Sequence, residues 1–516
     1  MLLHTLVHTL ALLTTLSGIS YGRHVTSYAH RRHVLGENHD HPLFSRSPAA
    51  LHGRADCEPA DPANTVTDRL NTLLNSSGPG YTLPLCPGAQ YLIQAPILFA
   101  APDQEISTVG YPAGDDRAIL VVSGPVANGQ GHTTAVDGTC ANCSGVKLRH
   151  VQINGTRGGA SPTSGGANIE MGGSNSNQLI EFVRSYDPRS WSCLHVAEGA
   201  FSCNNVTVQN NDIGPCGSDR FQEWADGISI SCQNSLIRNN MVNNPTDGGI
   251  VLFGAPGTVV ENNTIWVETM VLLGGINMVD YDPWNGNYTN TIVRNNIIEG
   301  GFATDVEEAG DTKGTNEEDV IIKIGIAIGP RTWFGDRYFN NVSSSGTVLN
   351  NQLTGAFGYG LAISSAQNFT VQGTVLVGNT SFIGSRGPNC STTDTVPDPA
   401  AFVQDQNTVQ FSNIQGDVKV ISDADSLTCI MPPNGGDYWP FGGNSLSSPS
   451  SSDSSPTPFS TGSGGPSSSL SAGGGLSGGA KAGIAIGVIL GVVAIGVLTH
   501  FIRKSALQRP RTTGRY

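Results

Sequence analysis

Two short patterns of hydrophobic and polar residues alternate along the middle of the chain. The first is hydrophobic-x-hydrophobic-x-Asn-Asn-x-hydrophobic. It is clearest in VTVQNNDI (206–213), LIRNNMV (236–242), VVENNTI (259–265) and IVRNNII (292–298), with fainter copies in VKLRHVQI (146–153) and TVLNNQL (347–353). The second is Gly-hydrophobic-x-hydrophobic, in GISI (227–230), GIVL (249–252), GINM (275–278), GIAI (325–328) and GLAI (360–363). Together they define a repeat of about 22 to 35 residues that contains at least two short strands. The strands are rich in Val, Ile and Thr at period two, and no helical period of 3.6 comes between them.

Self-similarity of this kind marks a solenoid, because one repeat cannot bury its apolar side until a neighbour stacks on it. Stacked parallel strands lie about 4.8 Å apart, and parallel connections are right-handed by default. The expected fold is therefore all-β, a right-handed parallel β-helix over residues 57–440. The Asn pairs then have a physical task. Asn tolerates the left-handed backbone of a sharp corner, and stacked Asn side chains form hydrogen-bonded ladders. His150 stands where an Asn of the pair would stand, which makes it structural.

Composition narrows the picture. The chain has 516 residues, 65 of them Gly, and only 13% are charged. The charged share is about half the usual quarter, which excludes long charged helices and coiled coils. A net charge of −14 argues against nucleic acid as a partner. Ten Cys lie between Cys57 and Cys429. An even count in one region reads as a disulfide set in an oxidising compartment. Connectivity stays open, with Cys193/Cys203 and Cys216/Cys232 as plausible local pairs. Cys140-x-x-Cys143 has redox spacing, but in a secreted domain each is expected to be disulfide-bonded.

The chain ends supply the compartment. Residues 1–22 read as a secretory signal peptide, and 23–56 as a disordered, His-rich leader or propeptide. Residues 441–480, almost all Ser, Gly, Pro and Thr, read as a flexible stalk. Residues 481–503 read as a transmembrane helix, since Ala482–Ile502 would span roughly 30 Å. Residues 504–516 form a basic cytosolic tail, which orients the chain as a single-pass type I plasma-membrane protein with its ectodomain outside. Gly483, Gly487 and Gly491 form a GxxxGxxxG face that would suit a homodimer. Ten Asn-x-Ser/Thr sequons fit the extracellular assignment.

The DGISI, GIVLF and xxNNxI runs resemble those of the pectin-lyase-like right-handed β-helix proteins, over roughly residues 140–380. The resemblance implies the fold. It also implies a class whose members are similar in acting on polysaccharide as hydrolases, lyases or epimerases, or in binding as adhesins and tail-spike-like proteins. It does not extend to one enzyme family. Of the polygalacturonase-like motifs only Pro-Thr-Asp-Gly at Asp247 echoes Asn-Thr-Asp; Gly-His-Gly is missing, and Lys323 sits in Ile-Ile-Lys-Ile rather than Arg-Ile-Lys. The pectate-lyase Asp-His and Arg-x-Pro-x-x-Arg signatures are missing as well.

Candidate chemistry gathers at the strand ends. Asp226 and Asp247 each precede a Gly and lie 21 residues apart, about one coil. Stacked carboxyls about 5 to 5.5 Å apart suit a retaining glycosidase, and about 6.5 to 9.5 Å an inverting one. Close carboxylates drive one pKa up and make one group a proton donor. Aligning the Gly-hydrophobic-x-hydrophobic strands instead sets Asp226 opposite Gly248, and the register is open at this point. Asp280 and Asp282 could extend the acidic row as further catalytic candidates. Arg220, Glu223, Trp224, Trp284, Arg331 and Trp333 are substrate-binding candidates, because aromatic rings cover sugar faces and Arg pairs with uronates. No metal-ligand spacing occurs, and Ca²⁺ enters only on a lyase reading, with Lys323 and Arg331. The expected partner is polysaccharide. Two functions stand: a glycosidic-bond-cleaving or -modifying enzyme, and a non-catalytic carbohydrate-binding surface module or adhesin.

Overall fold

A computed structural model describes residues 57–220, 222–301, 320–335, 338–385 and 398–428. The expected signal, leader, stalk, membrane span with Gly483, Gly487 and Gly491, and basic tail lie outside the described residues. Among the described residues no helix is long and apolar enough to cross a membrane.

Each repeat folds as one coil of a parallel β-helix, and successive coils stack into three faces. The first face is an 11-stranded sheet. The second and third belong to one 20-stranded sheet, joined where the strand Gln352–Ile363 turns the corner. Its start pairs with Ile297–Glu299 and its end with Ile322–Ile328. Among the described strand ladders, only the Val126–Ala127/Gln130–Gly131 hairpin is antiparallel.

The period-two pattern explains the core. On the first face Ile180, Val208, Ile237, Val260, Val293 and Val348 stand in register, one per coil, each fully buried. On the third face Leu194, Ile228, Ile250, Ile276, Ile326 and Leu361 do the same. Burying each such side chain stabilises by about 1.5–3 kcal/mol. The Gly of Gly-hydrophobic-x-hydrophobic is set by crowding. A Cβ at Gly227, Gly249, Gly275 or Gly325 would come within 2.4–2.6 Å of the carbonyl of the Gly one coil on.

The two Asn of each pair divide the labour. The first, Asn210, Asn239, Asn262, Asn295 or Asn350, takes a left-handed backbone with φ of 54–57° and turns the corner. The second enters a buried ladder. Asn211 donates through Nδ2 to Oδ1 of Asn240, Asn240 to Asn263, Asn263 to Asn296, and Asn296 to Asn351, at 2.9–3.0 Å. Each Nδ2 also donates to a carbonyl of the preceding face, and each receiving Oδ1 accepts a backbone amide from the coil before it. His150 takes the corner position, with φ of 50°, and stacks on Phe182.

Three features depart from the repeat pattern or its pairings. A helix, Ala63–Ser77, precedes the coils and buries Val66, Leu70 and Leu74, spaced four apart. Its Thr67 and Asn71 side chains accept the Gln94 and Leu98 amides of the first coil, so it covers an edge that would otherwise be open. A second, short helix spans Arg331–Phe334. The expected local disulfides are replaced by Cys193–Cys216 and Cys203–Cys232, beside Cys57–Cys86 and Cys140–Cys143. Stacking explains the change: Cys203 and Cys232 are 29 residues apart in sequence, but one coil places their Cα atoms 5.0 Å apart.

The ladder yields a direct test. Asn263→Ala removes four buried hydrogen bonds and is expected to cost roughly 3–5 kcal/mol, whereas Asn262→Ala, which affects only the corner, costs about 1–2 kcal/mol. Urea unfolding of both variants measures the difference; equal losses would mean that the ladder adds nothing beyond the corner.

Candidate active site

The outward side of the third face carries two columns of residues. The first runs Asp137, Glu170, His195, Ser229, Val251, Asn277, Ala327 and Ala362. The second lies three residues upstream on each strand and runs Ser192, Asp226, Gly248, Gly274, Ile324 and Tyr359. Both columns are polar on the early coils and mostly apolar on the late ones. An outer apolar cluster covers the late coils, with Leu273, Ile324, Trp333, Tyr359, Ala424 and Leu427 buried in it and Trp224 packed at its edge.

The register question resolves in favour of Asp226 opposite Gly248. The Asp226 carboxylate accepts the Gly248 amide at Oδ1 (2.8 Å) and the Ser229 hydroxyl at Oδ2 (2.8 Å). Ser229 in turn shares a hydrogen bond with Ser192 (3.0 Å). Asp247 precedes Gly248, and its amide donates to the Ala225 carbonyl. The two aspartates thus occupy adjacent coils, offset by one residue. Asp226 is buried and Asp247 half-buried.

Their environments differ. Asp226 is pushed well above the ordinary carboxylate range, first by burial and then by the Asp247 charge, with a smaller push from Asp280; the Ser229 and Gly248 bonds offset this only in part. Burial raises Asp247 to about 6. Asp280, half-buried after the strand Leu272–Met278, joins this electrostatic group. Asp282 is exposed, and among the described residues no hydrogen bond or ion pair ties it to the pair.

The binding candidates separate. Trp224 is half-buried beside the pair. Trp333 is only 4% exposed and lies over Gly274, so it is packing and not a platform that sugar reaches. Arg331 forms an ion pair with Asp425 and holds the covering segment, rather than awaiting a uronate. Glu223 pairs with buried Arg157 (3.6 Å) and accepts the Ser161 hydroxyl (3.0 Å). Arg220 is exposed on the same loop. Trp284 sits at the far strand ends, where its indole donates to the Ser231 carbonyl (2.7 Å). Lys323 is buried; its amine donates to the Thr428 carbonyl (2.8 Å), and burial lowers its pKa to about 7.

The face also holds groups that motif reading missed. His195 Nδ1 lies 2.7 Å from Glu170 Oε2, and the imidazole stands in register with Ser229. Asn277 Oδ1 is buried without a hydrogen-bond partner. The signal was the register itself: Leu-His-Val (194–196) aligns with Ile-Ser-Ile (228–230), but lacks the Gly that marks the other copies. Three carboxylates, Asp405, Asp423 and Asp425, come close enough together to hold a cation. They lie among the covering segments, where Arg331 already neutralises Asp425.

Residues 191–415 match the family model described as a right handed beta helix region. No curated protein matches the chain. Among solved structures, an alginate lyase from Paenibacillus sp. str. FPU-7 is 14% identical, with 61% of this chain and 95% of that one covered and a TM-score of 0.38. The A-module of the Azotobacter vinelandii mannuronan C-5 epimerase AlgE6 is 12% identical, with 71% and 95% covered and a TM-score of 0.42. A DFA-IIIase from Arthrobacter chlorophenolicus A6 is 12% identical, with 72% and 94% covered and a TM-score of 0.44. In fold, the chain resembles the right-handed parallel β-helix proteins, without the signature of one enzyme family among them.

Proposed function

We propose that the polar half of the third face is the active surface of a polysaccharide hydrolase, with Asp226 as general acid and Asp247 as general base. The observation that carries this reading is the unequal environment of two carboxyls on adjacent coils. Two like groups so placed do not ionise together. Burial and the Asp247 charge favour the protonated form of Asp226, while Asp247, raised only to about 6, gives up its proton more readily, which is the division of roles that glycosidic cleavage needs.

The step balances with water alone. Asp226 donates its proton to the glycosidic oxygen as the C–O bond breaks. Asp247 takes a proton from the water that adds to the anomeric carbon. Proton exchange with solvent then resets both groups. Asp280 adds negative charge that favours the developing oxocarbenium ion. Trp224 offers an apolar surface to a sugar ring. The half-buried column of Asp137, Glu170 and His195 carries the polar surface over three coils, which suits a polymer better than a small molecule. The same proposal keeps the sequence expectation that the β-helix stands outside the cell on a stalk and a single C-terminal membrane span.

The test incubates the full chain with neutral and acidic polysaccharides, reading new reducing ends together with absorbance at 235 nm. Reducing ends without absorbance are expected, and both signals together would indicate a lyase and overturn the acid–base assignment. Asp226→Asn and Asp247→Asn are each expected to lower the rate by about 10²–10⁴-fold. Full activity in either variant removes that residue from the mechanism. Silence across the panel, with retention on an immobilised polysaccharide, would indicate a binding module.

The pH dependence follows from the same shifts. Activity falls as pH drops below about 6, where Asp247 becomes protonated, and a rate profile of the unsubstituted chain reads that limb. Stability moves the other way. Because the folded Asp247 holds its proton more tightly than the unfolded one, stability is lost as pH rises from 3.8 to about 6 and stays lower above that. Asp247→Asn should therefore raise stability at pH 7 by up to about 3 kcal/mol and leave it unchanged near pH 3. Urea unfolding at the two pH values checks this, and an equal gain at both would refute the assigned ionisation.

A further inference from the structure

Glu170, His195 and Trp191 lie on the coils just before the Asp226–Asp247 pair, on the same outward surface. The Glu170 carboxylate is fixed at both ends: Oε1 accepts the Ala167 amide (2.6 Å) and Oε2 meets His195 Nδ1 (2.7 Å). A carboxylate only accepts, so Nδ1 carries a proton and the ring is held with Nε2 turned away from Glu170; Nε2 accepts in the neutral tautomer and donates in the imidazolium. His195 Nε2 has no protein partner among the described residues. Its ring is half-buried, 17% exposed, and meets the Trp191 ring edge-to-face with centroids 4.9 Å apart. An oriented polar nitrogen beside a half-buried indole suits a sugar ring: a hydroxyl, which both donates and accepts, hydrogen-bonds with Nε2, and the indole covers an apolar patch of the ring.

The charge around this spot selects among sugars. Asp137 and Glu170 stand in the same column on the preceding coils, and Asp247 and Asp280 lie beyond it. The cations near the face are engaged or aside. Arg331 pairs with Asp425, Lys323 is buried against the Thr428 carbonyl, Arg189 is turned to the Gly124 and His132 carbonyls and the Thr156 hydroxyl, and the exposed Arg220 is on the loop of the Arg157–Glu223 pair. A uronate or sulfate would therefore meet a negative field with no oriented counter-charge.

We infer that Glu170, His195 and Trp191 form a subsite for a neutral sugar residue, one coil before the cleavage position. His195 contacts the hydroxyl and Glu170 is a positioning residue. The inference rests on the reading of this face as the substrate surface, and it assigns the substrate class as a neutral glycan.

The test measures retention of the full chain carrying Asp226→Asn, which slows turnover, on immobilised neutral β-glucan, α-glucan, mannan and xylan, and on polygalacturonate and alginate. Retention on a neutral glycan is expected, with none on the two polyuronates. Adding His195→Asn keeps a nitrogen able to donate to Glu170 but removes Nε2; it should weaken retention about 10-fold, the loss of one well-placed hydrogen bond. His195→Gln, which returns a polar atom near the Nε2 place, should recover part of it. Circular dichroism and urea midpoints confirm that each variant is folded.

Preferential retention on a polyuronate overturns the inference, as does undiminished retention with His195→Asn or no retention on any glycan. Failure of the two readings is distinguishable. Retention that depends on His195 without cleavage by the unsubstituted chain leaves the subsite standing and removes the hydrolase. Asp226-dependent cleavage of a polyuronate does the reverse.

Discussion

A new coil joins this molecule only if it repeats what the previous coil presents about 4.8 Å away. That spacing brings equivalent residues into direct contact, so each column is a separate constraint. The asparagine ladder is its strictest expression. Asn211, Asn240, Asn263, Asn296 and Asn351 exchange hydrogen bonds inside a region with no water to replace them. A single odd member would strand the donors and acceptors on both sides. The glycine column works by space alone, since any side chain there would strike the carbonyl of the next coil.

Such constraints leave a repeated trace in the sequence, and the fold is legible for that reason. Asn-Asn at a corner and Gly-Ile at a face entrance recur because stacked copies demand them. What recurs only once leaves no such trace. The helix Ala63–Ser77 covers one end of the stack, so nothing repeats it. The disulfides Cys193–Cys216 and Cys203–Cys232 follow three-dimensional neighbourhood, which distance in sequence misstates. Trp333 and Arg331 look like sugar-binding residues in a strand-end loop. Their real surroundings are set by residues 423–428, nearly a hundred positions later. Asp226 and Asp247 were visible as a pair, but which backbone position each faced required the register. His195 was hidden because its strand breaks the glycine rule at the position where its neighbours keep it.

The acidic pair depends on the same geometry. Gly248 has no side chain in the space between them. A Cβ there would meet Val251 Cγ2 at 2.1 Å and Asn277 Nδ2 at 2.7 Å, and lie 3.1 Å from Asp226 Oδ1. The missing side chain lets the Gly248 amide reach the Asp226 carboxylate, a bond that orients the group without fully offsetting its burial. Two carboxyls in such a place lower stability, and the regular columns on either side hold them there.

The apolar half of the face explains why the polar half is electrostatically distinct. Gly248 pairs with Gly274, so Leu273 occupies the place next to Asp247 one coil on, and Leu273 is buried in the outer cluster with Trp333 and Leu427. The Gly274 amide donates to the Asp247 carbonyl, which fixes that contact. Asp247 therefore has Leu273 of the apolar wall in register on one side and Ala225 on the other, with the Asp226 carboxyl offset by one residue and near enough for its charge to be felt. The wall withdraws water from the carboxylate and favours its neutral form, as the rise to about 6 reflects. Arg331 and Asp425 pin the covering segment in place, while on the other side Glu170 and His195 stay half-buried. One cover thus both ends the polar half of the face and tunes the carboxyl beside it, which ties the position of the proposed chemistry to the position where the outward columns turn from polar to apolar.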